Sequence, residues 1–134
     1  MTATLLRAGH EPVVFDNLSK GHRAAVKDAA FVQGDFGDLD LTTRTLKKYN
    51  IDAVMHFAAF IEVGESVTQP LRYYENNFSK TRTLLEAMDA AGVGKFVFSS
   101  TAAVYGMPDT VPITEDVVKA PINPYGETKW AVER

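Results

Sequence analysis

The sequence has 134 residues, 46% hydrophobic and 23% charged, the balance of a soluble globular chain with one domain at most and a modest core. A net charge of -3 without any basic cluster argues against a nucleic-acid partner, and no apolar run reaches the roughly 18 residues of a membrane span. The absence of cysteine excludes a disulfide scaffold and a thiolate metal site, in keeping with a cytoplasmic protein, and His10, His22 and His56 lack the spacing of metal ligands.

Residues 1 to 9 read as the end of an amphipathic helix, with Leu5 and Leu6 apolar and Gly9 as its stop. They lack the basic start and cleavage signal of a secretory peptide. Glu11 to Asn17 follow as a short buried strand, with Pro12 at its start, where a missing donor does little harm. An acid at such a tip, here Asp16, can accept both hydroxyls of an adenosine ribose, and Asn17 can add amide contacts; Asp-Asn equally suits a turn. Leu18 begins a polar connection to Ala30 with a short helix from Gly21 onward. The second strand, Ala30 to Asp35, again ends in an acid. Asp35 and Phe36 suit either an adenine, met through its exocyclic amine and its apolar face, or a turn.

A helix is predicted from Asp38 to Tyr49, with Leu39, Leu41 and Leu46 among its apolar positions and Asn50 at its end. The third strand, Ile51 to Ala59, is apolar toward its end, as in strands covered on both faces. Ala58 and Ala59 are small where it meets the loop, either for packing or for the approach of a flat ligand. Pro70 opens the longest helix, which runs to about Ala91 with Leu71, Tyr74, Phe78, Leu85 and Met88 at helical spacing. Asn76 and Asn77 are poor helix formers in its interior: one is held by a ligand, or both face solvent. Gly92 and Gly94 stop the helix before a strand ending at Ser99-Ser100-Thr101, and Val104 to Asn123 is an irregular loop over the sheet edge.

Asn123-Pro124 is a helix opening, with Asn as cap and Pro at the first helical position, so Tyr125 and Lys129 fall four apart on one face. A free phenol titrates near pH 10, about 4 kcal/mol away from serving as a base at neutral pH. A lysine charge at ~5 Å supplies about 3 kcal/mol at an effective dielectric near 20, and a cationic ring nearby the rest. The pair therefore suits removal of a proton from an alcohol while a hydride leaves the same carbon. The spacing alone also describes a surface tyrosine and a solvated lysine. The hydroxyls of Ser99, Ser100 and Thr101, at the carboxyl edge where α/β sheets bind ligands, favour the chemical reading. Strand and helix alternate throughout, which gives a doubly wound α/β domain with a parallel sheet.

The strings AGHEPVVFDNLSKGH, FVQGDF, DAVMHFAAFIEVGESVTQPLRYYENN, GVGKFVFSSTAAVYG and NPYGETKWAVE resemble the N-terminal half of the UDP-glucose 4-epimerases (UDP-galactose 4-epimerases), which are extended short-chain dehydrogenase/reductases. The resemblance implies a Rossmann-like fold with NAD as cofactor and a UDP-hexose as substrate. By it, Asp16 and Asn17 hold the adenosine ribose, Asp35 with Phe36 the adenine, and Leu18 also binds the cofactor. Phe57, Ala58, Ala59, Phe60 and Ile61 line the cofactor, Ile61 standing where the family often has lysine, and Asn76 contacts it. Thr101 hydrogen-bonds the sugar hydroxyl, Tyr125 is the base, and Lys129 acidifies it and binds the nicotinamide ribose. In this family a hydride passes from carbon four to NAD, the keto-sugar turns over, and the hydride returns to the other face. The related sugar-nucleotide 4,6-dehydratases carry Asp-Glu after the Ser or Thr; Ala102 and Ala103 stand here and cannot move a proton.

The same resemblance makes residues 1–134 a partial NAD-binding domain without the first strand, its Gly-x-x-Gly-x-x-Gly turn, or the C-terminal substrate domain. The expectation is a sheet lacking its central member, and a chain that by itself is inactive and binds NAD weakly. Full-length members pair as homodimers through the helices equivalent to those starting at Pro70 and Pro124. Epimerisation of another nucleotide sugar and non-catalytic dinucleotide binding are the alternative readings.

Overall fold

A short amphipathic start, Thr2–Arg7 (α1), stops at Gly9, whose φ of +80° is open to glycine without strain. All 134 residues, Met1–Arg134, are described by the structure, a computed structural model. They form two units: Met1–Asp52 with Thr83–Gly94, and Ala53–Arg82 with Lys95–Arg134.

In the first unit Val13–Asp16 (β1) pairs in parallel with Ala30–Gln33 (β2), Val13 opposite Ala30 and Asp16 opposite Gln33. The crossover holds one tight turn of 3₁₀ helix, Arg23–Val26, in place of the short helix expected from Gly21. Asp38 caps the next helix, Leu39–Lys48 (α2), by accepting the Leu41 N–H through Oδ1 (2.9 Å). Asn50, at φ +47°, ends it, as its short polar side chain allows. Val26, Ala29 and Leu46 are buried in this unit together with Leu84, Ala87, Met88 and Val93.

In the second unit Val54–His56 (β3) pairs in parallel with a later strand, so the α/β class with parallel strands holds, as two two-stranded ladders. The ladder is shorter than the run from Ile51 to Ala59 suggested. Beyond His56 the backbone turns to other partners, since Phe60 N–H and C=O both bond to the Asn77 side chain. Val63–Thr68 (α3), with a glycine and β-branched residues, carried no helical signal in the sequence. It is braced from outside: the buried phenol of Tyr73 faces the Glu62 carbonyl and the Glu65 carboxylate, each at 2.8 Å.

The long helix expected from Pro70 to Ala91 is there in three parts: Pro70–Tyr73 (α4), a wider π-helical stretch Tyr74–Ser79, and Lys80–Ala91 (α5). Its buried stripe differs from the apolar one read in the sequence. Leu71 is 83% exposed, and Tyr74, Phe78 and Leu85 are also exposed, whereas Tyr73, Asn77, Thr81, Leu84 and Met88 are buried. Three of those five are polar or amphipathic, and the widened turn changes the phase, so of the five apolar positions read from periodicity only Met88 lies on the buried face. Phe96–Phe98 (β4) is the partner of β3, a 3₁₀ turn spans Ala102–Tyr105, and Pro124–Glu133 (α6) closes the chain.

The two interiors differ in kind. The second unit buries His56, Ser66, Asn76, Asn77, Thr81, Thr128 and Lys129. No buried side-chain nitrogen or oxygen is left without a hydrogen-bond partner. A buried polar group costs about 1–3 kcal/mol when unpaired, so such an interior is stable only when its geometry is closely specified.

Candidate active site

α6 begins where Asn123 Oδ1 accepts the Gly126 N–H (2.9 Å) and Pro124 takes the first helical position, as the sequence suggested. A Cβ added at Gly126 would lie 2.7 Å from the Ala103 carbonyl oxygen. Glycine thus lets the first turn of α6 lie directly on the 3₁₀ turn Ala102–Tyr105. Thr101 caps that turn, its Oγ1 accepting the Ala103 N–H (3.2 Å). Thr101 and Tyr125, both half-buried, therefore flank one backbone-to-backbone contact.

One turn further along α6, Lys129 is 3% exposed. Its Nζ donates to the Ser99 carbonyl (2.8 Å) and stands 4.7 Å from the centroid of the Phe98 ring. Ser99 N–H in turn donates to the His56 carbonyl (3.1 Å), which ties the lysine to the end of the β3/β4 ladder. Ser100 Oγ donates to Glu133, so the tip of β4 is held at two successive turns of α6. Burial pushes the Lys129 ammonium down to about 8. Its charge sits in a region of low dielectric.

His56 is buried beneath this cluster, pushed down to about 4 by burial first and by the Lys129 charge second. Thr81 Oγ1 donates to the Asn77 carbonyl (2.8 Å) and so accepts from His56 Nε2 (3.0 Å), which assigns the neutral ring its Nε2–H tautomer. The imidazole is thereby a structural donor.

The loop after β3 splits the five residues read there as a cofactor lining. Phe57 is 51% and Ile61 62% exposed, and Ala58 is exposed as well. Ala59 and Phe60 are half-buried, and the Phe60 ring packs tilted against Tyr73 (5.7 Å between centroids) and beneath the Arg72 guanidinium (4.4 Å). Asn76 is buried and donates through Nδ2 to Asn77 Oδ1 (3.0 Å). The alternative in which both asparagines face solvent is excluded.

The first unit holds the remaining candidates. Asp16 ends β1 half-buried, with Oδ1 accepting the Leu18 N–H (2.7 Å). That bond holds Leu18 at φ +59°, a left-handed conformation that is strained for leucine. A Cβ on Gly21 would come within 3.0 Å of Asp16 Oδ2, so glycine keeps that oxygen open. Asp16, Leu18, Gly21 and His22 line a cleft of about 150 Å³. Asn17 Oδ1 accepts the Ser19 N–H (2.9 Å) and Asp35 Oδ1 the Gly37 N–H (2.9 Å), both turn-forming bonds, and Phe36 is half-buried beside them.

Sequence reasoning missed the Ser99 carbonyl, the close approach at Gly126, and the roles of His56, Asn77 and Thr128. Only Gly126, a glycine in the first turn of a well-capped helix, carried a local signal for its role.

The whole chain, residues 1–134, matches the model of the NAD dependent epimerase/dehydratase family. It is 51% identical over 130 residues to a UDP-glucose 4-epimerase of Rhizobium meliloti (strain 1021), covering 97% of this chain and 40% of that protein. A UDP-glucose 4-epimerase of Lactobacillus helveticus is likewise 51% identical over 131 residues, with 97% of this chain and 40% of that protein covered. Among solved structures, UDP-glucose 4-epimerase from Brucella ovis in complex with NAD superposes with a TM-score of 0.95 at 47% identity, over 98% of this chain and 41% of that one. The enzyme from Bifidobacterium longum, in complex with NAD+ and UDP, gives 0.93 at 38% identity over 97% and 42%. The chain thus spans about two fifths of the length of the relatives it matches.

Proposed function

The chain belongs to the NAD dependent epimerase/dehydratase family, and from that we propose that it works in the NAD-dependent interconversion of UDP-glucose and UDP-galactose. The observation that carries the reading is the contact of Gly126 with Ala103, which sets a threonine hydroxyl and a tyrosine phenol on touching backbones beside a buried lysine.

The residues present fit NAD. The Asp16 carboxylate, kept open by Gly21, suits the two hydroxyls of an adenosine ribose, with Asn17 and Leu18 beside it and Asp35 and Phe36 for the adenine. In the second unit the exposed Phe57, Ala58 and Ile61, the backbone of Ala59 and Phe60, Asn76, Tyr125 and Lys129 are assigned to the nicotinamide half. Bound there, NAD supplies a reversible hydride acceptor for carbon four of the hexose. Tyr125 takes the proton of the hydroxyl on that carbon and returns it once the sugar presents its other face. Thr101 Oγ1 already accepts a backbone N–H, so its own proton is available to the same sugar oxygen. Lys129 holds positive charge one turn from the phenol. Ala102 and Ala103 offer no second acid or base, which supports epimerisation over elimination of water.

A homodimer of the full-length protein is part of the proposal, supported by the outward apolar residues Val63, Val67 and Leu71. Light scattering on a full-length chimera carrying this chain tests it.

The activity is tested in a chimera in which this chain replaces the aligned segment of the Rhizobium meliloti relative. The chimera is expected to convert UDP-galactose to UDP-glucose, and Tyr125→Phe to lower kcat on the order of 10³-fold. A folded, NAD-loaded chimera without turnover, or one indifferent to Tyr125→Phe, overturns the reading.

A further inference from the structure

A buried ammonium is ordinarily paired with a carboxylate, because an isolated charge is costly to take out of water. Lys129 is 3% exposed and makes no ion pair. The charged and titrating groups on every element packed around it are otherwise placed. On α6 itself Tyr125 lies one turn before it and Glu133 one turn after, with the Glu133 carboxylate taking the Ser100 hydroxyl. His56, from β3, is a neutral donor to Thr81. On α3 and α4, Glu65 is paired with Arg72 and the Tyr73 phenol, and Glu62 is exposed. Glu75 and Tyr74, on the π-helical stretch, are exposed, and Tyr105, on the 3₁₀ turn, lies beneath Lys119.

What faces the ammonium instead is an aromatic ring. Lys129 Nζ stands 4.7 Å from the centroid of Phe98, within the ~6 Å over which the negative face of an aromatic quadrupole attracts a cation. That ring is itself set by its neighbours. His56 is opposite Phe98 in the β3/β4 ladder and lies near-parallel to it (6.0 Å, 19°), and Phe96, two residues earlier in β4, does the same (6.1 Å, 13°).

The difference between a ring and a carboxylate is chemical. An ammonium–carboxylate pair is a dipole, whose field dies away faster than that of a single charge, and the carboxylate would oppose loss of a proton from a nearby phenol. A ring face attracts the cation while carrying no net charge, so the full positive unit survives. It also leaves donors free, since the Ser99 carbonyl uses one of the three on the ammonium. Resting on the role given to Lys129 above, we infer that Phe98 is a positioning residue for that reaction, whose ring face holds the Lys129 ammonium charged at the tip of β4 in place of an acidic partner. It acts through the lysine and does not touch the sugar.

The test follows the Lys129 Cε resonance by NMR against pH in the 134-residue chain, the signal being assigned by its loss in Lys129→Met. Phe98 is replaced by mono-, di- and trifluorophenylalanine, which keep the shape of the ring and progressively weaken its negative face. The lysine midpoint is expected to fall step by step, by about one pH unit at the trifluoro ring. Phe98→Leu, which keeps apolar cover but has no π face, is expected to lower it as well; a purely structural role predicts the opposite, because looser packing admits water and raises the midpoint. A midpoint that stays flat or rises along the fluorinated series overturns the inference. In the full-length chimera the alkaline fall of kcat is expected to move down with the lysine midpoint at unchanged KM for UDP-galactose at pH 7, and a kcat profile that ignores the fluorines also overturns it. A chimera inactive with its parental Phe98 counts instead against the proposed function, and the lysine titration still decides the part played by the ring.

Discussion

Gly126 shows how much one missing side chain decides. A Cβ there meets the Ala103 carbonyl oxygen at 2.7 Å and the Pro121 Cβ at 3.0 Å, neither of them the far end of a flexible chain. Gly126→Ala must therefore push α6 away from the 3₁₀ turn, at a cost of about 1–3 kcal/mol in a urea melt. In the chimera the same change is expected to lower kcat more than it alters KM, because Tyr125 moves relative to Thr101 while the rest of the site stays. A Gly126→Ala protein with parental stability and kcat would show the contact to be looser than described. At this scale the sequence was most informative where partners are near in the chain. The spacing of Tyr125 and Lys129 follows from helical periodicity alone, and Asp16 stands out as the acid at a strand tip. Asn77 was unreadable for the opposite reason: its partners Phe60 and Thr128 lie 17 and 51 positions away.

Among the elements, α6 was legible because its start is written locally. Asn123→Ala removes the acceptor for the Gly126 N–H and is expected to destabilise the chain by about 1 kcal/mol, with Asn123→Asp close to the parent, as read from denaturant midpoints. The strands were legible in kind and order but shorter than their apolar runs, since β3 and β4 share only the rungs Val54–Phe96 to His56–Phe98. The segment from Pro70 to Ala91 was legible as helical, but its inward face only at Met88. Its inward stripe of Tyr73, Asn77, Thr81, Leu84 and Met88 mixes polar with apolar residues, and hydropathy cannot distinguish a polar residue that is buried and bonded from one that is solvated. α3 had no legible signal because its stability comes from Tyr73 reaching back to Glu62 and Glu65, a tertiary contact overriding weak propensity.

For the molecule as a whole, three buried titrating groups, all in the second unit, make stability depend on pH in a definite order. His56 binds a proton near 6.5 when unfolded and only near 4 when folded, so the unfolded chain gains protons first and stability falls as pH drops through that interval. Lys129 is lowered from 10.5 to about 8, so the fold holds a buried charge below 8, and stability rises as the native state sheds that proton between 8 and 10.5. Tyr73 moves the other way, from 10.0 up to about 12, through burial and then its bond to Glu65; its contribution is complete below 10 and is lost as pH climbs toward 12. The sum of the three is two rising steps, each of the order of 3 kcal/mol, followed by a fall. Urea midpoints taken from pH 4 to 11 are expected to trace this shape. His56→Gln should flatten the first step and Tyr73→Phe the final fall. Lys129→Met should abolish the second step and raise the midpoint at pH 7, while removing a residue assigned to the site. Because all three groups lie in one unit, amide exchange in Ala53–Arg82 and Lys95–Arg134 should follow these steps, and that of Val13–Asp16 and Ala30–Gln33 should not. Equal pH dependence in both sets of amides would mean that the two units open only together.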